Sequence, residues 1–473
     1  MKLSPMMQQY MEIKEQYQDC ILFFRLGDFY EMFFEDAKLA SKELELTLTG
    51  KACGQEERAP MCGVPFHAAD GYIAKLVEKG YKVAICEQME DPALAKGLVK
   101  RDIIRVITPG TVIESSMLAD DKNNYICSIY TRKVRSRWKA GICFADISTG
   151  EAYATELTAE KMGPAIITEL CRYMPSEILI NPALLDLKEV TNYVRQHTHA
   201  LVELREDACY QQRVMEDAMT AQFGADWRNT CGFAQDGLVP YAFGALLGYL
   251  HETQKHGIDR IKSVQNYADA QYMRLSPVTR ANLELTETMR GREKRGTLLW
   301  VLDKTETSMG KRQLRAWIEQ PLVDSSVINQ RLDAVEALYN ANVTRADLKE
   351  ALSHVYDIER LTTRILYGSA TPKEVKALGD TCVYLPQVRQ LARQCTTPLL
   401  RELSGAVDPL EDLLDLINRA LVEDPPANLK DGGAIRAGFN AEVDELRDIM
   451  HGGKGFLSQL EAKLKEETGI PKL

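Results

Sequence analysis

The segment Leu22-Phe23-Phe24-Arg25-Leu26-Gly27-Asp28-Phe29-Tyr30-Glu31 carries an apolar run into a Gly-Asp pair and sets two aromatic rings and a carboxylate just past it. These residue types suit the probing of a base stack. A Phe wedge can enter a base step from the minor groove and kink the duplex, at a cost of a few kcal/mol for unstacking. A mispaired or unpaired base lowers that cost. One ring stacked on a base returns about 1–3 kcal/mol, so a single wedge can succeed at a weakened step and fail at a sound one. The triplet Phe29-Tyr30-Glu31 is the candidate probe. A carboxylate beside phosphates meets repulsion and desolvation, both of which favour the protonated form, and a protonated acid can donate a hydrogen bond. The bland alternatives are a core aromatic at position 29 and a Glu31 that serves only the dipole of its own helix.

The elements that must hold these residues can be read from periodicity. Residues 21–26 read as a short buried strand, Gly27 permits the turn, and Asp28 suits the N-cap of a helix over 31–44. Tyr30 and Met32 to Phe34 are then packing residues that keep the support rigid. Helical patterns over 5–17 and 71–79 and strand patterns over 81–87 and 103–108 complete an α/β or α+β unit. Beyond a polar stretch at 115–124, residues 125–130, 140–148 and 151–155 read as strands with a Thr149-Gly150 turn. Past Tyr241 the pattern is mostly helical, including 296–318, 324–340 and 410–422. Ile435, Phe439, Val443, Leu446 and Met450, with Leu457, Leu460 and Leu464, form one apolar stripe on a long arm helix. Gly452, Gly453 and Gly455 predict a break within it.

Several separate strings share a resemblance. Gly27-Asp28-Phe29-Tyr30-Glu31 resembles the mismatch-sensing motif of the MutS family of DNA mismatch repair proteins, and Pro5-Met6-Met7-Gln8-Gln9-Tyr10 resembles that family's opening. Met61-Cys62-Gly63-Val64-Pro65-Phe66-His67-Ala68, Ala84-Ile85-Cys86-Glu87-Gln88 and Arg105-Val106-Ile107-Thr108-Pro109-Gly110-Thr111 continue the likeness. Thr279 to Leu285, Ser308-Met309-Gly310 to Leu322, and Gly438 to Ile470 resemble the family's helical core and the arm leading to its clamp. So many strings in one order make coincidence a poor explanation. The resemblance implies a multidomain α/β plus α chain: an N-terminal mixed α/β mismatch-recognition domain at 1–116, a ribonuclease H-like α/β connector at 124–250, a mainly helical core or lever at 260–425, and the start of a clamp arm at 426–473. It implies that Phe29 stacks on the mismatched base and Glu31 hydrogen-bonds to it, with Asp28, Tyr30 and Met61 supporting or close to the DNA. Met61 would sit in a loop, where packing is its expected role. The implied partners are mismatched double-stranded DNA, a second copy of the chain or a higher oligomer, and a MutL-like repair protein. ATP and Mg²⁺ would belong to a C-terminal ATPase domain lying, like most of the clamp, beyond Leu473, so the isolated chain should bind DNA weakly.

Composition bounds these readings. A chain of 473 residues has room for about three domains. Its net charge of −10 argues against bulk-charge coating of nucleic acid. Residues 1–115 hold 14 Lys and Arg against 18 Asp and Glu, so any DNA contact must be local. Arg290-Gly291-Arg292-Glu293-Lys294-Arg295 is the densest basic cluster and is left unassigned, a solvated loop being the commoner explanation. Eleven cysteines without a Cys-x-x-Cys pair fit a reduced compartment. Cys53, Cys62, Cys86 and His67 have irregular spacing, and no zinc is expected. With no signal-peptide pattern and no apolar run of membrane-spanning length, the expected location is the bacterial cytosol. A phosphate-cradling Gly-x-x-x-x-Gly-Lys-Ser/Thr is missing: Gly50, Gly310 and Gly453 precede lysines, but Glu45, Thr305 and Asp448 stand where the first Gly belongs, and Ala52, Arg312 and Gly455 where the hydroxyl belongs. No ATP hydrolysis and no cofactor are expected of these residues. Two rival functions remain open. Asp146, in Phe144 to Gly150, sits as acids do in ribonuclease H-like metal-dependent nucleases, although no second and third acid can be read beside it. The other rival is a purely structural helical scaffold.

Overall fold

The computed structural model describes residues 3–90, 97–135, 137–254, 258–267, 271–450 and 463–464. The chain forms two compact units, one of residues 1–333 and 362–369, the other of 334–361 and 370–473. In the first unit, β1 (Cys20–Leu26), β2 (Phe29–Phe33), β3 (Thr49–Lys51), β4 (Ala59–Pro65), β5 (Lys82–Gln88) and β6 (Arg101–Ile107) make a sheet ordered β3-β4-β2-β1-β5-β6. Only β1 and β5 pair in parallel. Strand side chains alternate between faces, and each face has its own core. Leu22, Phe24 and Phe33 pack with Met7 and Tyr10 of α1 (Pro5–Gln16). Ile21, Phe23, Tyr30 and Met32 pack with Ala37, Ala40 and Leu44 of α2 (Phe34–Leu44) and with Ile73 and Leu76 of α3 (Ala69–Glu78).

A second sheet follows, from β7 (Ile126–Val134), β8 (Arg137–Asp146), β9 (Glu151–Thr158), β10 (Glu177–Ile180), β11 (Leu201–Leu204) and β12 (Gln265–Asn266), ordered β11-β10-β7-β8-β9-β12. Strands β7 to β9 are antiparallel, while β10 and β11 run parallel to β7 and β12 runs parallel to β9. Helices α4 (Met162–Tyr173) and α5 (Lys188–His197) pack on one face. On the other lie α6 (Gln212–Phe223), α7 (Trp227–Thr230) and α8 (Val239–Gln254). Buried polar groups fasten the two sheets together. The Glu177 carboxylate accepts hydrogen bonds from the Thr108 hydroxyl, from Gly110 N at 2.9 Å and from the Tyr249 hydroxyl at 2.5 Å. Burial pushes the Glu177 carboxyl above its ordinary range, and these donors oppose the rise. Arg105 Nε donates to Gln254 Oε1 at 2.7 Å, and Gln254 Nε2 donates to Val106 O at 3.0 Å.

The helical remainder of the first unit holds α9 (Pro277–Asn282), α10 (Leu298–Leu302), α11 (Ser308–Glu319) and most of α12 (Ser325–Asn340). The single helix expected over 296–318 is two. Asp303 Oδ1 accepts from the Thr305 hydroxyl at 2.7 Å, turning the chain, and Thr307 Oγ1 accepts from Gly310 N at 3.0 Å, capping the second helix. The second unit contains α13 (Asn342–Ser353), part of α14 (Ile358–Leu366), α15 (Pro372–Arg393), α16 (Pro398–Ala406) and α17 (Glu411–Ala420). Thr371 and Glu374 form a capping box at the start of α15, against which Leu361, Ile417 and Leu421 pack through Leu378. The apolar stripe does not start on one helix. Ile435 instead pairs with Leu421 as a bridge, Gly438 turns the chain at φ +85°, and Asn440 Oδ1 accepts from Val443 N to cap a helix over 441–450. The expected glycine break, with Leu457 and Leu460, lies outside the described residues.

One glycine on β8 is required by packing. A Cβ on Gly141 would lie 2.3 Å from the backbone carbon of Leu238 at the start of α8. Gly141→Ala should therefore destabilise the first unit by about 3 kcal/mol, read as a lower urea midpoint, because backbone on both sides must shift.

Candidate nucleic-acid interface

Residues 27 and 28 form a two-residue connection between β1 and β2, closed by the pair Leu26 and Phe29. Gly27 has φ +58° while Asp28 does not enter the left-handed region, the pattern of a II′ hairpin, whose twist matches that of its strands. Asp28 is therefore no helix cap. The chain returns as strand β2, because alternation sends Tyr30 and Met32 into one core and Phe33 into the other, and the helix begins only at Phe34. The reading of Glu31 as a cap of its own helix falls with it. Asp28 lies in the turn, where its carbonyl accepts from Phe66 N at 2.9 Å.

Period two fixes the display. Phe29, next to the turn, is 47% exposed, whereas Tyr30, Met32 and Phe33 are buried. The buried Tyr30 hydroxyl donates to Glu87 on β5, and burial with that carboxylate raises the phenol's pKa. Arg25 ties the same corner together. Its guanidinium stands 3.7 Å from the Phe66 ring centre and 3.4 Å from Glu87, and its Nε donates to Gly27 O at 2.5 Å. A ring at position 29 thus stands on a turn held by β1, β2, β4 and β5.

Glu31 shares the face of Phe29 and sits opposite Gly63 of β4. A Cβ on Gly63 would come 3.4 Å from Glu31 Cγ and 3.1 Å from Tyr30 O, so glycine leaves the Glu31 side chain its course along the sheet. Glu31 Oε2 meets Lys51 Nζ of β3 at 2.5 Å, with the two side chains 15% and 33% exposed. Met61 lies within β4 rather than in a loop, since its backbone pairs with both Phe33 and Thr49. It is half-buried against the α1-side core. Sequence reasoning missed Lys51, Gly63, Arg25, Phe66 and Glu87 as parts of this site. Gly63, Phe66 and Glu87 stand inside quoted motifs, but Lys51 becomes visible only through the pairing of β3 with β4.

The remaining candidates lie elsewhere. In the basic cluster, Lys294 bridges Asp121 and Asp303 at 2.8 Å each, while Arg290, Arg292 and Arg295 are exposed. Asp146 is fully buried, and its carboxylate accepts from Ser148 N and Oγ, Asn123 Nδ2 and Asn124 N at 2.7–3.0 Å. Four donors occupy this carboxylate, so Asp146 offers no open face for metal chemistry. Among the described residues no group of three His, Cys, Asp or Glu is placed to hold a metal, and no helix is long and apolar enough to cross a membrane.

Three family models match the chain in order. MutS domain I matches residues 4–116, MutS domain II residues 124–265 and MutS domain III residues 278–468. The chain belongs to the MutS family. It is 48% identical over 471 residues to the DNA mismatch repair protein MutS of Ruminiclostridium cellulolyticum and 48% identical over 471 residues to that of Acetivibrio thermocellus, covering all of this chain and 53% of each relative. The protein of that name in Lachnoclostridium phytofermentans is 46% identical over 476 residues, with 50% of its length covered. The chain thus spans about half the length of the curated relatives it matches.

Exposure makes opposite predictions for two neighbouring rings. Phe29→Ala should change stability by no more than about 0.5 kcal/mol. Phe33→Ala, emptying a fully buried position, should cost about 3–5 kcal/mol in the same urea titration.

Proposed function

We propose that this chain recognises mismatched or unpaired bases in duplex DNA, with Phe29 as the intruding ring and Glu31 as the group that tests the exposed base edge. The observation that carries the reading is a large aromatic ring left nearly half exposed at a tight turn whose next residues are buried. A soft support would absorb the strain of unstacking; Tyr30, Met32 and Arg25 make this one stiff. Because the energy returned by one stacked ring is comparable to the unstacking cost, the balance turns on how weak the base step already is. Glu31 adds discrimination because a carboxylate gains nothing from a well-paired, phosphate-lined groove.

The domain division at 1–116, 124–250, 260–425 and 426–473 is part of this proposal, with the middle α/β segment as a ribonuclease H-like connector. Support for the connector comes from its three antiparallel strands continued on one side by two parallel ones. Assembly as a homodimer or higher oligomer, a MutL-like partner, and nucleotide-driven switching with ATP and Mg²⁺ are proposed for the full-length protein. The residues here contain no Gly-x-x-x-x-Gly-Lys-Ser/Thr string and so do not fit the phosphates of that nucleotide.

Anisotropy titrations at low salt with a duplex carrying one unpaired thymine and with its fully paired counterpart test the reading. Tighter binding to the first is expected, and Phe29→Ala should remove about 1–3 kcal/mol of that preference. Equal affinity of the unaltered chain for both duplexes, or a preference that survives Phe29→Ala, overturns it.

A further inference from the structure

The pairing of Glu31 with Lys51 carries a consequence for selectivity, and it rests on the mismatch-reading role just proposed. We propose that Lys51 is a specificity-determining latch: it holds the Glu31 carboxylate against the sheet and surrenders it only to a base edge that competes for it. Glu31 Oε2 and Lys51 Nζ lie 2.5 Å apart, so the acid already has a charged partner before any ligand arrives. The bare Cα of Gly63 lets the side chain run toward β3, and Lys51 also stands 5.8 Å from the Phe33 ring centre on the same face. At 33% exposure on an edge strand, the Lys51 side chain remains partly open to solvent.

The arrangement sets up an exchange. On a fully paired duplex Glu31 stays with Lys51, its charge offset, and the repulsion it offers the phosphates is small. On a distorted step the exposed base takes one carboxylate oxygen, and Lys51 is released beside a polyanion that can accept it. Lys51 therefore competes with the base for Glu31. Removing it leaves a bare carboxylate that penalises paired duplex, whereas an exposed base still satisfies that carboxylate. Loss of Lys51 should raise discrimination while lowering overall affinity, which a simple phosphate contact would not do, because such contacts weaken binding about equally for every sequence.

A double-mutant cycle on the whole chain tests this, using the same pair of duplexes. In Lys51→Gln the ratio of affinities for the unpaired-thymine and paired duplexes should rise about fivefold, the size of one ion pair near a surface. In the Glu31→Gln background the same change should leave the ratio where Glu31→Gln alone puts it. Lys51→Arg should restore the starting ratio, and Lys51→Met should repeat the effect of Lys51→Gln without its amide. An unchanged or lowered ratio in Lys51→Gln, or a rise that persists without Glu31, overturns the latch. A lack of preference in the unaltered chain overturns instead the reading on which it rests.

Discussion

The site depends on a two-residue turn. Because Gly27 accepts a positive φ at no steric cost, β1 reverses within Gly27 and Asp28, and the registry of β2 follows without freedom to slip. Slippage by a single residue would bury Phe29 and expose Tyr30 and Met32, exchanging the two faces of the strand. The buried neighbours therefore specify the exposed ring. Glu87, reached by both Tyr30 and Arg25, extends this fixation to β5, so a load applied to Phe29 is shared across the sheet.

Fixing a reading element is useful only if the element is itself anchored. The first sheet meets the second sheet through buried, hydrogen-bonded polar groups around Glu177, Arg105 and Gln254. Polar junctions of this type impose direction and distance, since a misplaced partner leaves a donor or acceptor buried and unmet. An apolar contact alone would tolerate sliding. The helical unit organised around α15 has its own core and its own capping box.

Electrostatics explain how an acidic chain can be suited to this task. With a net charge of −10, affinity cannot come from a general positive field. The surface at the turn is instead locally balanced, with Glu31 beside Lys51 and Glu87 beside Arg25. On the proposed reading, such pairing lets shape and stacking decide between duplexes, where a strongly basic surface would bind them all.

Much of the architecture was legible along the chain: strand β1, the Gly27 turn, helices α1 and α3 and strands β7 to β9 follow from periodicity and turn chemistry, while the family's motifs were legible only as a resemblance. Helix 31–44 was misread at its start because Met32 to Phe34 suit either element in isolation, and only the open edge of β1 makes a strand worth more than a helical turn there. The helix at 296–318 and the stripe from Ile435 failed for a related reason, since Asp303, Thr307 and Asn440 stop or start helices through side-chain hydrogen bonds that hydrophobic spacing does not register. Residue types and order thus determined which ring and which acid are the candidates. Tertiary structure alone decided that the ring faces solvent and that the acid is held by Lys51, twenty residues away, because both depend on strand registry, which is settled by burial on two faces and not by local sequence.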